Sequence, residues 1–277
     1  MEDWQRLELD YAKRLRSCSP DERKELYVEA YSAVAKLRMA SMPADPEKRT
    51  AGTSRSMVQL LARLCKPWET VLEVGCGRGY TCSGLAPHVK QIVGTDVSDP
   101  VLEESRELLR KNHITNAKIL KVAGDELTDN FDANSFDKVI SIGVYEHLHP
   151  EDGINHLKQV YTVLKPDGCY ILDVSNRLSG PHDMTRIVFP DAKEPLGFHL
   201  NETTVEALVQ TAREIGFSEF AVVRPFTFRS NFLFYLRYPA YFQSWIEQLC
   251  PQVRKPFFLK RVYRKLLQAI LIAGKKA

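Results

Sequence analysis

The chain has 277 residues, of which 44% are hydrophobic and 26% charged, with a net charge of +3. That length fits one large domain, or one domain with a substantial extension, and the composition excludes disordered and fibrous classes. The charged start Met1-Glu2-Asp3-Trp4-Gln5-Arg6 lacks the apolar stretch of a secretory signal, and no apolar run approaches the ~18 residues that span a bilayer, so a cytoplasmic protein is expected.

Six cysteines, at 18, 65, 76, 82, 169 and 250, form no CxxC pair, which argues against a zinc or redox motif and for free, mostly buried thiols. The small net charge conceals an asymmetry. From Phe226 to Ala277 there are ten Lys/Arg and one acid, Glu247, a local charge of +9 that leaves −6 for the rest. The same segment holds 12 of the 27 aromatic residues, so a basic aromatic end is joined to an acidic body.

The first 66 residues read as helical. Ser19-Pro20-Asp21-Glu22 has the form of a capping box, with Ser19 as N-cap, Pro20 at the first helical position and Glu22 at the third. Leu26, Ala30, Ala33, Val34 and Leu37 then share one helical face. Ser41-Met42-Pro43-Ala44-Asp45-Pro46 reads as a linker, and a further helix is expected from Thr53 or Ser54 until Pro67. Residues 1–50 are thus expected to form a helical cap on a domain spanning 51–277.

From residue 70 the pattern changes. Short apolar runs at 70–75, 91–95, 118–123, 137–142 and 169–175 alternate with helical patterns near 79–88, 99–112 and 151–164. Strand–helix alternation predicts a parallel sheet covered on both faces. An irregular stretch follows from Asn176 to Asn201, then a helix over Thr203–Ile215 ended by Gly216. Phe220-Ala221-Val222-Val223 and Ala269-Ile270-Leu271-Ile272 read as two more strands, with Arg224–Tyr263 inserted between them.

The richest segment is Val71-Leu72-Glu73-Val74-Gly75-Cys76-Gly77-Arg78-Gly79. An apolar strand ends in an acid, three glycines alternate, and a helix begins. Glycine permits the tight turn and lets a ligand lie against bare backbone at the carboxyl end of a sheet. The dinucleotide fingerprint G-x-G-x-x-G would need a third glycine at 80 or 82, where the chain has Tyr80 and Cys82. An acid at Glu73 suits a ligand bearing an amino group better than a pyrophosphate. Asp96 ends the next strand, Gln91–Asp96, where a carboxylate can accept hydrogen bonds from both hydroxyls of a ribose. Asp125, after the third strand, could accept from an adenine amino group.

Further along come Gly143-Val144-Tyr145-Glu146-His147-Leu148 and Leu164-Lys165-Pro166-Asp167-Gly168. Taken together, these segments resemble the class I S-adenosylmethionine-dependent methyltransferases, in particular their small-molecule group, which has E/D-x-G-x-G-x-G, an EHL segment after the fourth strand, and LKPGG before the fifth. Asp167 replaces a glycine of the last motif, in a turn that accepts Asp. The resemblance covers about residues 54–224 and the final strand.

It implies a doubly wound seven-stranded α/β sheet, order 3-2-1-4-5-7-6, with the seventh strand antiparallel. It also implies S-adenosylmethionine as cofactor, S-adenosylhomocysteine as product, and a small-molecule acceptor methylated on O or C. Glu73, Gly75, Cys76, Gly77 and Gly79 would then border the methionine and ribose, and Asp96 with Val97 the ribose. Asp125 and Glu126 would flank the adenine, with Gly143, Val144 and His147 beside the cofactor. An NAD(P)-dependent Rossmann oxidoreductase and a non-catalytic protein of the same fold are the alternatives.

Methyl transfer from a sulfonium needs positioning and desolvation more than a fixed triad, with a base only where the acceptor is protonated. His147, and the loop residues His182, Asp183 and His199, are the candidates for acid–base work or substrate binding. No spacing compels a metal site from these histidines, and none is expected. Tyr11, Tyr27, Tyr31 and Met39 of the N-terminal helices are candidate substrate contacts. The basic aromatic segment, about 226–265, reads as a lid, a homodimer contact or a peripheral membrane contact; no nucleic-acid partner is expected.

Overall fold

The structure, a computed structural model, describes residues 1–41, 55–227, 233–253, 267 and 269–275. The expected linker over 42–46 and the basic run 256–265 lie outside these residues, as does the expected helix start at 53 or 54. Two helices open the chain, α1 (Asp3–Ser17) and α2 (Pro20–Ser41). Glu22 accepts hydrogen bonds from both the Ser19 amide (2.9 Å) and the Ser19 hydroxyl (2.7 Å), so the expected cap fixes the start of α2.

Next come α3 (Arg55–Leu64), β1 (Thr70–Val74), α4 (Tyr80–Leu85), β2 (Gln91–Asp96), α5 (Asp99–Lys111) and β3 (Ala117–Lys121). The short α6 (Leu127–Asn130) leads to β4 (Phe136–Ser141), a single turn at Tyr145–His147, α7 (Pro150–Val163) and β5 (Leu164–Val174). The rest is α8 (Thr185–Val188), α9 (Val205–Ile215), β6 (Phe217–Thr227), β7 (Leu233–Pro239), α10 (Ala240–Val253) and β8 (Ala269–Lys275).

The strands form one sheet in the order β3-β2-β1-β4-β5-β8-β6-β7. The first five run parallel, while β8 pairs antiparallel with both β5 and β6. The slot expected for an antiparallel last strand is therefore filled by β8, and β6 lies beyond it as expected. The difference is an eighth strand: Leu233–Pro239 adds antiparallel to the edge of β6. Its sequence Leu-Phe-Tyr-Leu-Arg-Tyr-Pro suits a strand, and a terminal proline is tolerated where no further strand needs its amide. Asp167 sits at φ 60°, in the left-handed turn that the missing glycine of its motif would occupy.

Adjacent residues of each central strand serve opposite faces, as an extended backbone requires. Leu72, Val93, Val139, Leu172 and Leu271 pack with Leu157, Val160, Leu208 and Val209 of α7 and α9. Val71, Ile92, Ile140, Ile171 and Ile270 pack with Leu60, Leu61, Leu85 and Leu102 of α3, α4 and α5. Both faces are covered, which is why these strands are almost wholly apolar.

A third cluster joins the N-terminal helices to the body. Tyr11, Leu15, Leu26, Tyr27, Ala30 and Val34 pack with Leu148 and Phe198. Arg23 of α2, whose side chain is 3% exposed, is the polar anchor of this contact. It donates from Nε to Asp152 Oδ2 (2.8 Å), from Nη2 to Glu151 (2.6 Å) and to Asp152 Oδ1 (3.2 Å), and from Nη1 to the Cys18 carbonyl (3.0 Å). Tyr27 also donates to Asp152 (2.9 Å) and accepts from the His149 amide (2.7 Å). From α1, Arg16 reaches the carbonyls of Pro195, Leu196, Gly197 and His199. Among the described residues no helix is long and apolar enough to cross a membrane.

His156 of α7 shows what the core asks of a buried ring. It is fully enclosed, with Nδ1 on the Gly124 carbonyl (2.7 Å) and Nε2 on the Tyr170 hydroxyl (2.8 Å). Burial, partly offset by the Gly124 bond, pushes its pKa down to about 4. A folded-state value below the free one adds stability that is fully present above the ordinary imidazole value of 6.5 and is lost as pH falls toward 4. Unfolding free energy should therefore fall more steeply between these two values in the natural protein than in His156→Gln, by up to about 3 kcal/mol. Denaturant melts of both proteins across that range check this, and equal slopes would refute it.

Candidate active site

The site lies at the carboxyl ends of β1, β2 and β4, where α/β sheets bind ligands. The loop after β1 is pinned to β2: the Cys76 amide donates to the Thr95 carbonyl (2.8 Å), and the Gly77 amide to Asp96 Oδ2 (3.0 Å). Asp96 Oδ1 accepts from the Ser98 amide (2.9 Å). Burial raises the Asp96 pKa and these amides pull it back, leaving it above the usual carboxylate value.

Two of the three glycines show different reasons for lacking a side chain. Gly77 has φ 50° and nothing within 4 Å of where a Cβ would stand, so bare backbone faces the crevice. Gly79 has φ 76°, and a Cβ there would stand 2.2 Å from the Ser105 hydroxyl. It allows α4 and α5 to approach.

Two cavities meet here. The first is lined by Lys24, Tyr27 and Tyr31 of α2 and by Val74, Gly75, Asp96, Val97, Asp125, Gly143, Val144, His147 and Leu148 of the body. The second, about 540 Å³, is lined by Trp4 and Glu8 of α1, by Tyr31 and Arg38 of α2, and by Gly77, Asp96, His147, His182, Asp183 and His199. Tyr31, Asp96 and His147 belong to both walls. A volume of this size is typical of a small-molecule pocket.

Most of the residues singled out in the sequence converge here, and six do not line either cavity. Glu73, expected to face a ligand amine, is 2% exposed and lies beneath the loop, taking a hydrogen bond from the Cys82 thiol (2.9 Å). Burial pushes its pKa up to about 7. Cys76 packs with the core under Gly94. Gly79 serves the helix contact, and Glu126 stands at the start of α6. Of the candidate tyrosines, Tyr27 and Tyr31 reach the cavities, whereas Tyr11 bonds to Glu29 within the helix pair (2.8 Å). Met39 is absent from both linings, as are the described residues 233–253 of the basic aromatic segment.

The imidazoles differ in setting. His147 is half-buried, with its pKa pushed down to about 3 by desolvation and by the neighbouring His199. The rings of His147 and His199 stand edge to face at 4.8 Å, and Tyr31 meets His147 at 5.8 Å. Burial alone would lower His199, but Glu202, bonded to its Nδ1 at 2.8 Å, together with Glu146 and Asp183 raises it above the ordinary value. His182 bonds through Nε2 to the Ser179 hydroxyl and the Asn176 carbonyl, both at 3.0 Å. Asp183 accepts from the Thr185 amide (2.9 Å) and the Gly197 amide (2.8 Å), so it shapes the loop while bordering the cavity. Glu202 and Glu8 were missed from sequence. Glu202 follows His199 by three residues, a spacing that could have flagged it; Glu8 accepts from the Phe198 amide (3.1 Å) across 190 residues and left no local signal.

Comparison with known proteins agrees with this geometry. Residues 71–168 match a family model described as a methyltransferase domain. The chain is 33% identical over 103 residues to a sterol 24-C-methyltransferase of Pneumocystis carinii, covering 37% of this chain and 26% of that one. It is 26% identical over 160 residues to a protein of Mycolicibacterium smegmatis named probable S-adenosylmethionine-dependent methyltransferase, covering 57% and 55%. The chain thus spans about half or less of the length of these relatives. The crystal structure of YcgJ from Bacillus subtilis superposes with a TM-score of 0.53 at 16% identity, covering 79% of this chain and 98% of that one, a likeness of fold.

Fold and site together define a Rossmann-like α/β domain with a crevice at the carboxyl ends of its central strands. Residues 71–168 form a methyltransferase domain, and the matched relatives and the fold support a class I S-adenosylmethionine-dependent methyltransferase with S-adenosylmethionine as cofactor.

Proposed function

We propose that the chain transfers the methyl group of S-adenosylmethionine to the O or C atom of a small molecule held in the larger cavity. The observation that carries this reading is the pair of cavities sharing Tyr31, Asp96 and His147. A donor in one and an acceptor in the other would meet in line at that shared wall.

The residues suit the cofactor. Backbone bare of a Cβ at Gly77 leaves room for an aminoacyl chain, and the acceptor-only carboxylate of Asp96 suits paired ribose hydroxyls. Val97, Val122, Val144 and Leu148 offer apolar walls to a base, with Asp125 at its edge. When bound, S-adenosylmethionine supplies an electrophilic methyl group on a sulfonium. The chain's own part is to hold that methyl beside the acceptor, exclude water, and remove a proton where the acceptor carries one. His147, His182, Asp183 and His199 border the acceptor cavity and are assigned to that task. One relative is named for a sterol acceptor, and Trp4, Val34, Val101, Met184, Ile187 and Phe198 give this cavity apolar walls of the same kind.

Calorimetry with S-adenosylhomocysteine tests the reading. Asp96→Ala should weaken binding by more than about tenfold, since ribose hydroxyls would be left without their partner in a closed site. Unchanged affinity would refute the ribose assignment. Tight binding of NAD in place of S-adenosylhomocysteine would overturn the reading as a whole.

A further inference from the structure

Where the two cavities meet, Glu146 converges with two of the candidate histidines, an arrangement that no spacing in the sequence compelled. Glu146 and His147 come from the turn after β4, and His199 from the loop between α8 and α9. One donor atom of each lies within 4.8 Å of the other two. Glu146 is 5% exposed; its Oε1 accepts from the Ser175 hydroxyl (2.8 Å), while Oε2 is buried with no hydrogen-bond partner. His147 Nδ1 is likewise buried without a partner, its ring bonding to the Phe198 backbone on the other side. A buried carboxylate oxygen and a buried imidazole nitrogen, both unsatisfied and on neighbouring residues of one cluster, are costly unless something binds there.

We infer that Glu146, His147 and His199 form a binding site for a divalent metal ion, with Zn²⁺ the ion that best suits the donors. One carboxylate and two imidazoles are a borderline-soft set preferred by Zn²⁺ and its first-row neighbours over Mg²⁺ or Ca²⁺. The surroundings repeat a pattern common to such sites. His199 gives its Nδ1 to Glu202, 3% exposed, which orients the ring and leaves Nε2 for an ion. Glu146 is oriented by Ser175 in the same way. Bonds of about 2.1 Å bring tetrahedral donors to about 3.4 Å of one another, so the three side chains close by roughly an ångström on loading.

Three protein ligands leave a fourth position open toward the acceptor cavity. This part of the inference rests on the methyl-transfer reading. An acceptor hydroxyl in that position loses its proton to solvent more readily. Its oxygen then bonds to the methyl carbon as the carbon–sulfur bond breaks, with the electron pair leaving on sulfur.

The test uses the full chain, stripped with a chelator and titrated with ZnCl₂ by calorimetry and with CoCl₂ by visible absorption. One ion per chain is expected, with Co²⁺ giving the intense bands of a low-coordinate site. Glu146→Gln, which keeps the shape and the Ser175 bond, should weaken binding by at least about 100-fold, as should His147→Ala and His199→Ala, and Glu202→Ala by about 10–100-fold. His88→Ala, exposed and at the opposite end of the sheet, should leave it unchanged. Thermal melts identify any variant that has not folded, and Glu146→Gln then decides.

Failure of the natural protein to take up either ion, or affinity unmoved in Glu146→Gln and His199→Ala, overturns the site. S-adenosylhomocysteine is titrated into the same samples. Its binding without a metal sinks this inference alone, and metal binding without it sinks the methyl-transfer reading alone.

Discussion

Arg23→Ala should weaken the docking of the N-terminal helices by about 3–5 kcal/mol, the cost of leaving one member of a buried ion pair alone. Asp152, 8% exposed, would keep only Tyr27 as a partner, and the Cys18 carbonyl would lose its donor. The loss falls on one contact, so hydrogen exchange should quicken first in α1 and α2 while the sheet stays protected. Because α2 walls both cavities and α1 the larger one, turnover should fall together with protection. A double-mutant cycle with Asp152→Ala should show strong coupling, the pair of changes costing much less than the sum of the singles. Exchange rates in Arg23→Ala matching those of the natural protein would show that the apolar cluster alone holds the helices.

His199→Ala should lower kcat by roughly 10²-fold or more, whether the ring takes the acceptor's proton or holds the ion inferred above, while affinity for S-adenosylhomocysteine stays nearly intact. The division follows from position: His199 lines the acceptor cavity and not the cavity of Gly75 and Asp125. pH adds a second reading. Burial lowers the His199 pKa, but Glu202, with Glu146 and Asp183, more than reverses this, so the ring stays protonated to a higher pH than free imidazole. If activity needs the neutral ring, kcat/KM rises with pH through a value above the ordinary one, and Glu202→Gln shifts that inflection downward. Turnover in His199→Ala equal to that of the natural protein would remove this ring from the chemistry.

The central sheet was legible because parallel strands buried on both faces carry continuous apolar runs, such as Gln91–Asp96 and Phe136–Ser141, bounded by turn residues. The glycine loop was legible because its signal is local: strand, glycines, helix and acid all fall within 26 residues, 71–96. Leu233–Pro239 was not read as a strand, since aromatic residues among basic ones suit a helix, a strand or a surface equally. The setting of Glu73 was hidden for a related reason. Spacing put an acid at the end of β1 but did not reveal that Cys82 lies within bonding distance of it.

Long-range chemistry left no trace in the order of residues. Arg23 meets Asp152 across 129 positions, and Arg16 reaches the carbonyls of Pro195 and Leu196 across about 180. The approach of His147 to His199 likewise depends on how the loop of Asp183 and Gly197 folds back against α1.

Helix α2 contributes Tyr31 to both chambers, along with Lys24 and Tyr27 to one and Arg38 to the other. A shared roof beam of this sort ties the traffic of the two occupants together. On the methyl-transfer reading, a displacement of α2 that frees the nucleoside should also uncover the acceptor, linking the exchange of the two. Product-inhibition kinetics would then carry the imprint of that linkage.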